Sequence, residues 1–278
     1  MALFVKQLSH IDVSLWCPQR GLVGASWQVD ACLEGELGED GMLFDFGRVK
    51  PFIKKSLDAG VDHTLLMPTR AVGVSIEECV EGLCIRTTAP YPIEVRGPAR
   101  AFTLVDVEHI EPAALAVSLG EELTRTCPEN VERVSLTLSN EVIDGAAYGY
   151  SHGLKRHDGN CQRIAHGHRS RLEILQHGER QPALEARWAA WLDNRYLLER
   201  ADIVYQDEQT LACRYEAGEG RFALSLPLER CAVLDTPTTV ENIARWLAER
   251  IARETQTPTR VNAFEGFNKG ATAESGGA

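Results

Sequence analysis

The chain reads Tyr150-Ser-His-Gly-Leu-Lys-Arg-His-Asp-Gly-Asn-Cys-Gln-Arg-Ile-Ala-His-Gly-His168 at the start of its second half. Alternate residues of a strand project from one face, so His166 and His168 can direct both imidazoles at one ion. His152 supplies a third ligand, and three protein ligands with one open position are typical of catalytic zinc. A His-X-His pair also occurs by chance on exposed strands, so the predicted Zn2+ site needs support from the rest of the chain.

Cys161 lies in the same stretch and differs from the other seven cysteines of the chain. The eight cysteines show no paired spacing, which in a reducing compartment is typical of small buried hydrophobic residues. Cys161 instead follows the turn-forming run Asp-Gly-Asn and precedes the histidine strand, so we expect it to be partly accessible. A nearby cation lowers a thiol pKa and frees the thiolate as a base or nucleophile, although an inert thiol is the alternative.

Composition limits the possible partners. The chain has 278 residues, 44% of them hydrophobic, and a formal net charge of -11. This charge disfavours a broad surface for nucleic acid or an anionic membrane but leaves room for a local basic pocket. The N-terminus lacks a signal-peptide pattern, and no apolar run approaches the roughly 18 residues of a membrane span. The sequence therefore predicts a cytoplasmic protein with a small-molecule ligand.

The two halves repeat a common order of motifs. Leu8-Ser-His10 is echoed by Tyr150-Ser-His152, and Val23-Gly-Ala25 by His166-Gly-His168. A period near 140 residues indicates a domain duplication. We predict one unit over residues 1–147 and a second over 148–267. The segment 268–278, rich in Gly, Ala and Ser, is predicted to be a disordered tail.

Apolar periodicity predicts the helices of each unit. A stripe at three- and four-residue spacing predicts a helix from Thr238 to Arg253, with Thr238 and Glu241 as a capping box. A corresponding helix is predicted over 111–125, and each of the two leads into a strand that ends near a glutamate, Glu141 or Glu265. Alternating stretches predict antiparallel strands. Each unit is therefore predicted to be α+β, with helices on one face of an antiparallel sheet.

With these pieces placed, the sequence resembles the 6-pyruvoyltetrahydropterin synthase and 6-carboxytetrahydropterin synthase family of the tunnelling fold (T-fold), in a duplicated form. The resemblance extends over nearly the whole chain. Its motifs are Tyr148-Gly-Tyr-Ser-His152, Cys161 with His166-Gly-His168, Pro237-Thr-Thr-Val-Glu-Asn242, Val261-Asn-Ala-Phe-Glu265, Gly41-Met-Leu-Phe-Asp-Phe-Gly-Arg-Val-Lys50 and Val61-Asp-His-Thr-Leu-Leu66.

Departures from the family pattern are divided between the units. In the second unit Asp193 is kept, but Asn194 replaces the histidine of the family's Asp-His pair. In the first unit Asp62-His63 is intact, whereas Val23 and Ala25 occupy two ligand positions and His10 stands at the third. The first unit is therefore predicted to lack two zinc ligands, and neither unit holds a complete site.

The resemblance implies a role for each retained residue. Zinc on His152, His166 and His168 would polarise an oxygen of a pterin side chain and acidify the attached C–H. Cys161 would act as general base, with Asp62 and His63 as a second acid/base pair. Glu265 would accept hydrogen bonds from the pterin edge. Thr239 would bind substrate, or would only cap its helix, since the motif there is one residue longer than the family pattern.

Two functions remain open from the sequence. The first is a zinc-dependent synthase or lyase acting on 7,8-dihydroneopterin triphosphate or a related pterin, and yielding a 6-pyruvoyl- or 6-carboxy-tetrahydropterin. The second is a non-catalytic pterin-binding or assembly protein of the same fold, which Asn194 favours. Open sheet edges predict that the chain is a homo-oligomer that closes a barrel.

Overall fold

The computed structural model describes residues 1–276 and contains two similar sets of strands and helices. The first half holds β1 (Ala2–Cys17), β2 (Gly21–Gly35), α1 (Phe46–Ala59), β3 (Leu65–Pro68), β4 (Ser75–Cys79), β5 (Gly82–Thr87), β6 (Ile93–Gly97), β7 (Phe102–Val105), α2 (Pro112–Thr126) and β8 (Val131–Ser139). The second half holds β9 (Ala147–His152), β10 (His166–Gln176), β11 (Glu179–Arg180), α3 (Pro182–Leu192), β12 (Arg195–Glu199), β13 (Ile203–Gln206), β14 (Thr210–Ala217), β15 (Gly220–Pro227), β16 (Cys231–Leu234), α4 (Val240–Thr255), β17 (Thr259–Phe264) and β18 (Gly270–Ser275).

Each half forms a large sheet with the same strand order. The order is β7-β3-β1-β2-β8 in the first sheet and β16-β12-β9-β10-β17 in the second, where β18 adds an edge strand and β11 pairs with β10. A third sheet, β13-β14-β15-β6-β5-β4, joins the halves through antiparallel pairing of β6 with β15. The α+β fold with tandem units is therefore confirmed, whereas barrel closure by oligomerisation stays a prediction.

The helices bury apolar stripes at helical spacing, including the one predicted for α4. Val49, Ile53 and Leu57 of α1 are buried, and Asp45 caps this helix through the Gly47 amide at 2.7 Å. In α4 the N-cap is Thr239 and not Thr238, so the predicted capping box is one residue out of register. The buried stripes of α1 and α2 pack with the first large sheet in one apolar cluster, and those of α3 and α4 pack with the second large sheet in another.

The two large sheets contact each other through equivalent residues. Ser14 pairs with Gly24 in the first unit, as Ser151 pairs with Gly167 in the second. The hydroxyls of Ser14 and Ser151 form a buried hydrogen bond of 2.7 Å. This contact between equivalent residues places a local two-fold axis between the units, as in an isologous interface.

Glycine allows the two sheets to approach closely at this axis. A Cβ on Gly149 would lie 2.5 Å from the Gly24 carbonyl oxygen, so Gly149→Ala requires a backbone shift. We expect this substitution to lower the free energy of unfolding by about 1–3 kcal/mol, measured by denaturant titration. Gly276→Ala, where a Cβ has no neighbour within 4 Å, is the control and should change stability little. Equal stability of both variants would contradict the close packing.

The prediction that residues 268–278 are disordered is wrong for most of this segment. Gly270–Ser275 forms β18 and pairs with β17 along six residue pairs, from Thr259–Ser275 to Phe264–Gly270. Its composition is poor in large apolar residues, but backbone pairing to an open strand edge needs few of them. Residues 277–278 of the predicted tail lie outside the described residues.

No helix within residues 1–276 is long and apolar enough to cross a membrane.

Strand β9 begins at Ala147, beside the predicted boundary between the units, which stays a prediction.

Candidate metal centre and active site

His152, His166 and His168 form one buried group, called here the histidine cluster. His152 of β9 lies opposite His166 of β10, and His168 follows on the same face. Each side chain is at most 1% exposed. One ligand atom from each residue lies within 4.8 Å of the others. The strand register therefore brings the three predicted ligands together.

Hydrogen bonds to two backbone carbonyls orient two of these imidazoles. His152 Nδ1 lies 3.0 Å from the Thr238 carbonyl oxygen, and His166 Nδ1 lies 3.1 Å from that of Arg163. A carbonyl only accepts, so Nδ1 carries the proton and Nε2 keeps its lone pair. Both Nε2 atoms are buried and have no hydrogen-bond partner among residues 1–276. Such an atom costs about 1–3 kcal/mol, and a zinc ion would satisfy both of them.

Protonation also favours metal binding. Burial holds the pKa of His152 and of His166 well below the usual histidine value, and the neighbouring histidines lower it further. Both rings are therefore neutral at pH 7, and neutral imidazole is the form that binds zinc. The donor set, its burial and the neutral state of His152 and His166 fit a catalytic zinc ion.

Asp12 of the first unit contacts the third histidine, and sequence reasoning missed it. Its Oδ1 lies 3.3 Å from His168 Nδ1, and the Ser26 hydroxyl donates to the same oxygen. Burial alone would raise the pKa of Asp12, but His168 outweighs it and lowers the pKa below the usual range. The only signal in the sequence is a charged residue between Ile11 and Val13 in an otherwise apolar stretch.

A carboxylate beside a zinc-ligating histidine orients the ring and raises its basicity. We expect Asp12→Asn to raise the zinc dissociation constant about 10- to 100-fold. Competition with a chromogenic chelator measures this constant without reference to activity. Asp30→Asn is the control, because that carboxylate pairs with Lys6 outside the cluster. An unchanged affinity in Asp12→Asn would remove Asp12 from the metal centre.

Asp62 and His63 follow α1 and reach the histidine cluster from the first unit. Asp62 Oδ1 accepts the Asp12 amide at 2.8 Å, and its Oδ2 lies 2.8 Å from His63 Nδ1. Asp193 accepts the Gly149 amide at 2.8 Å in the same way. His63 and Asn194, the residues that follow the two aspartates, share a left-handed backbone with φ of 56° and 60°. Asp62-His63 and Asp193-Asn194 therefore occupy equivalent positions, with matching amide contacts and backbone conformation.

The structure brings the three predicted catalytic residues together within one chain. Ligand atoms of His63, Cys161 and His166 lie within 4.8 Å of one another, and Cys161 is partly exposed. Burial would lower the pKa of His63, but hydrogen bonds to Asp62 and Cys161 outweigh burial and raise it to about 10. His63 is therefore an imidazolium held between a carboxylate and a thiol.

This second group could also hold a metal, but it shares His166 with the histidine cluster. His63 already has Asp62 as a partner, whereas the Nε2 atoms of His152 and His166 have none. The histidine cluster is therefore the better zinc site, and Cys161 and His63 lie beside it without being part of it.

The two predicted substrate-binding residues lie in different settings. Glu265 Oε1 lies 3.5 Å from His168 Nε2, so its carboxylate borders the cluster. Thr239 caps α4, with its side chain 3.5 Å from the Asn242 amide. The neighbouring Thr238 is the threonine that contacts His152, and the sequence motif did not distinguish the two.

Strand pairing corrects the predicted count of lost ligands. Leu15 follows Ser14 and lies opposite Val23 in the first unit. In the second unit His152 follows Ser151 and lies opposite His166. Leu15 is thus the counterpart of His152, and His10 lies five residues earlier in β1. The first unit lacks all three zinc ligands and not two, because the Ser-His similarity matched residues out of structural register.

The 6-pyruvoyl tetrahydropterin synthase family model matches residues 9–89 and 142–275. The chain belongs to this family. Its members in the solved structures include the Plasmodium vivax enzyme, with 18% identity, a TM-score of 0.42, and coverage of 52% of this chain and 93% of that one. The Plasmodium falciparum enzyme has 16% identity, a TM-score of 0.41, and coverage of 50% and 90%. A comparison with curated proteins found no significant match.

Proposed function

We propose that the chain is a zinc-dependent pterin synthase or lyase that acts on 7,8-dihydroneopterin triphosphate or a related pterin. Its product would be a 6-pyruvoyl- or 6-carboxy-tetrahydropterin. One observation carries the proposal: a buried cluster of three histidines with unpartnered Nε2 atoms lies beside a thiol and an Asp-His pair. Membership of the pterin synthase family supports the choice of substrate class.

The residues around the cluster suit proton transfer at carbon. When bound, zinc supplies Lewis acidity that polarises an oxygen of the substrate side chain. Cys161 takes the proton from the neighbouring carbon or returns it, since its sulfur lies beside the cluster. His63 donates its proton on the same side, and Asp62 holds the ring in place at 2.8 Å.

Glu265 orients the pterin in this proposal. Its carboxylate borders the cluster and can accept two hydrogen bonds from the N–H groups of the ring. Lys269 Nζ lies 3.9 Å from Glu265 and has a side chain 57% exposed, so it lies near the carboxylate without blocking it. A ligand that lacks the two donors leaves this carboxylate unpaired and is rejected.

The proposed assembly is a homo-oligomer in the cytoplasm. Strand β8 ends the first large sheet and β18 ends the second, so both offer backbone groups for pairing with another chain. Within the chain Thr239 caps α4. We therefore propose that it contacts substrate only in the assembled oligomer.

Incubation of the zinc-loaded chain with 7,8-dihydroneopterin triphosphate, followed by mass spectrometry, tests the function. We expect the substrate mass to be replaced by that of a pyruvoyl- or carboxy-tetrahydropterin. Glu265→Gln should raise KM, since it keeps the shape but removes the charge. Binding of the substrate without any new mass would instead support a non-catalytic pterin-binding protein, for which Asn194 is the specific observation.

A further inference from the structure

A cavity of about 460 Å³ lies in the first unit where the second unit has its histidine cluster. Leu15, Val23 and Ala25 line it and occupy the three ligand positions. Alkyl side chains cannot bind a metal, so the cavity is unsuited to zinc chemistry. Its volume is nevertheless within the range of roughly 300–1,000 Å³ for small-molecule sites.

Two arginines line this first-unit cavity. Arg169 donates to the Glu141 carbonyl oxygen at 2.9 Å, and it makes no salt bridge to any carboxylate within residues 1–276. The Glu141 carboxylate is instead paired with Arg171 at 2.8 Å. Arg20 has a side chain 53% exposed, and one nitrogen of it donates to Asn194 Oδ1 at 3.1 Å and lies 3.5 Å from Asp193 Oδ2. The guanidinium groups therefore retain donors for a ligand.

The N-terminus of α2 opens onto the same cavity through Ile110 and Pro112. This helix has 15 residues, its N-cap Glu111 makes no side-chain capping hydrogen bond, and its first turn contains no acidic residue. The first amides of a helix have no partner within it, and together with the helix dipole they attract anions.

The position equivalent to Glu265 carries no negative charge in the first-unit cavity. Asn140 follows Leu138 by two residues, as Glu265 follows Ala263, and the two strands pair equivalently with β2 and β10. Asn140 and not Glu141 is therefore the counterpart of Glu265. An amide replaces a carboxylate in the lining of the cavity.

Among residues 1–276, Asp193 is the one carboxylate that lines the cavity, and both of its oxygens already accept hydrogen bonds. Oδ1 accepts the Gly149 amide at 2.8 Å, and Oδ2 accepts the Asn194 side chain at 2.8 Å. The lining therefore carries two guanidinium groups against one carboxylate, a net positive charge, together with a helix N-terminus and an apolar wall.

We propose that the first-unit cavity binds a small phosphorylated molecule with an apolar or planar body, without any metal. The phosphate lies between Arg169, Arg20 and the N-terminus of α2, where charge-assisted hydrogen bonds form. The body contacts the wall of Leu15 and Val23. This site is separate from the histidine cluster and does not depend on its catalytic function.

Isothermal titration of the chelator-treated full chain with phenyl phosphate tests the site. We expect one binding site per chain, weakened tenfold or more by Arg169→Gln and several-fold by Arg20→Gln. Arg20 is exposed enough that its substitution should not disturb folding, and a thermal melt of each variant checks this. Arg187→Gln, on the surface of α3, and Glu265→Gln, at the histidine cluster, should leave the affinity unchanged.

The ligand class is tested by comparison of three probes. Inorganic phosphate forgoes the apolar contacts, and benzoate forms fewer charge-assisted hydrogen bonds, so both should bind more weakly than phenyl phosphate. Tighter binding of benzoate would overturn the phosphate assignment. Three results would overturn the site itself. These are no binding of phenyl phosphate, an affinity in both arginine variants equal to that of the unmodified chain, and loss of binding in Glu265→Gln.

Discussion

His166→Ala should abolish zinc binding, whereas the unmodified chain should hold about one zinc per chain. His166 supplies a buried nitrogen that has no other partner, and its removal leaves two of three protein ligands. Structural and catalytic zinc sites need at least three protein ligands to retain the ion. Metal analysis after dialysis against zinc-free buffer measures the effect, with the expected content falling from one equivalent to near zero.

His157→Ala is the matched control, because His157 lies in the same segment but is exposed to solvent. It should keep the full equivalent of zinc. Two equivalents in the unmodified chain would contradict the division of roles between the units, since Leu15, Val23 and Ala25 leave the first unit without ligands. Retention of zinc by His166→Ala would place the ion elsewhere.

His63→Ala should lower turnover by about 10²- to 10⁴-fold while leaving the zinc content unchanged. His63 contacts the site through Asp62 and Cys161 and is not a member of the histidine cluster. Its loss removes a proton carrier but no zinc ligand. Product formation from 7,8-dihydroneopterin triphosphate and metal content, measured on the same preparation, separate the two effects.

Asn194→Ala offers a matched control for this substitution. Asn194 has the same backbone conformation at the equivalent position, but it contacts Arg20 of the first-unit cavity and is not part of the histidine cluster. Turnover should change little in this variant. An unchanged rate in His63→Ala would remove the first unit from the mechanism.

Local sequence patterns predicted α2, α4 and the main candidate site residues, because such patterns depend on near neighbours. The stripe of α4 and the His-X-His spacing in β10 follow directly from helical and strand periodicity. The Asp62-His63 pair was identified by its motif, and in the structure it follows α1 and brings His63 to the histidine cluster of the second unit. The fold class follows from these elements.

Register and long-range contacts were not predictable in the same way. The similarity of Leu8-Ser-His10 to Tyr150-Ser-His152 suggested a register that strand pairing contradicts. Strand β18 was missed because its pairing partner, and not its composition, determines its structure. Asp12 was missed because its contact with His168 crosses between the two units.

X-ray absorption at the zinc edge of the zinc-loaded chain tests the central claim most directly. The claim is that the histidine cluster holds the ion while Cys161 and His63 stay free for proton transfer. It predicts three imidazole nitrogens at about 2.0–2.1 Å, a fourth light-atom ligand and no sulfur. A sulfur ligand at about 2.3 Å would place zinc on Cys161 and contradict the account.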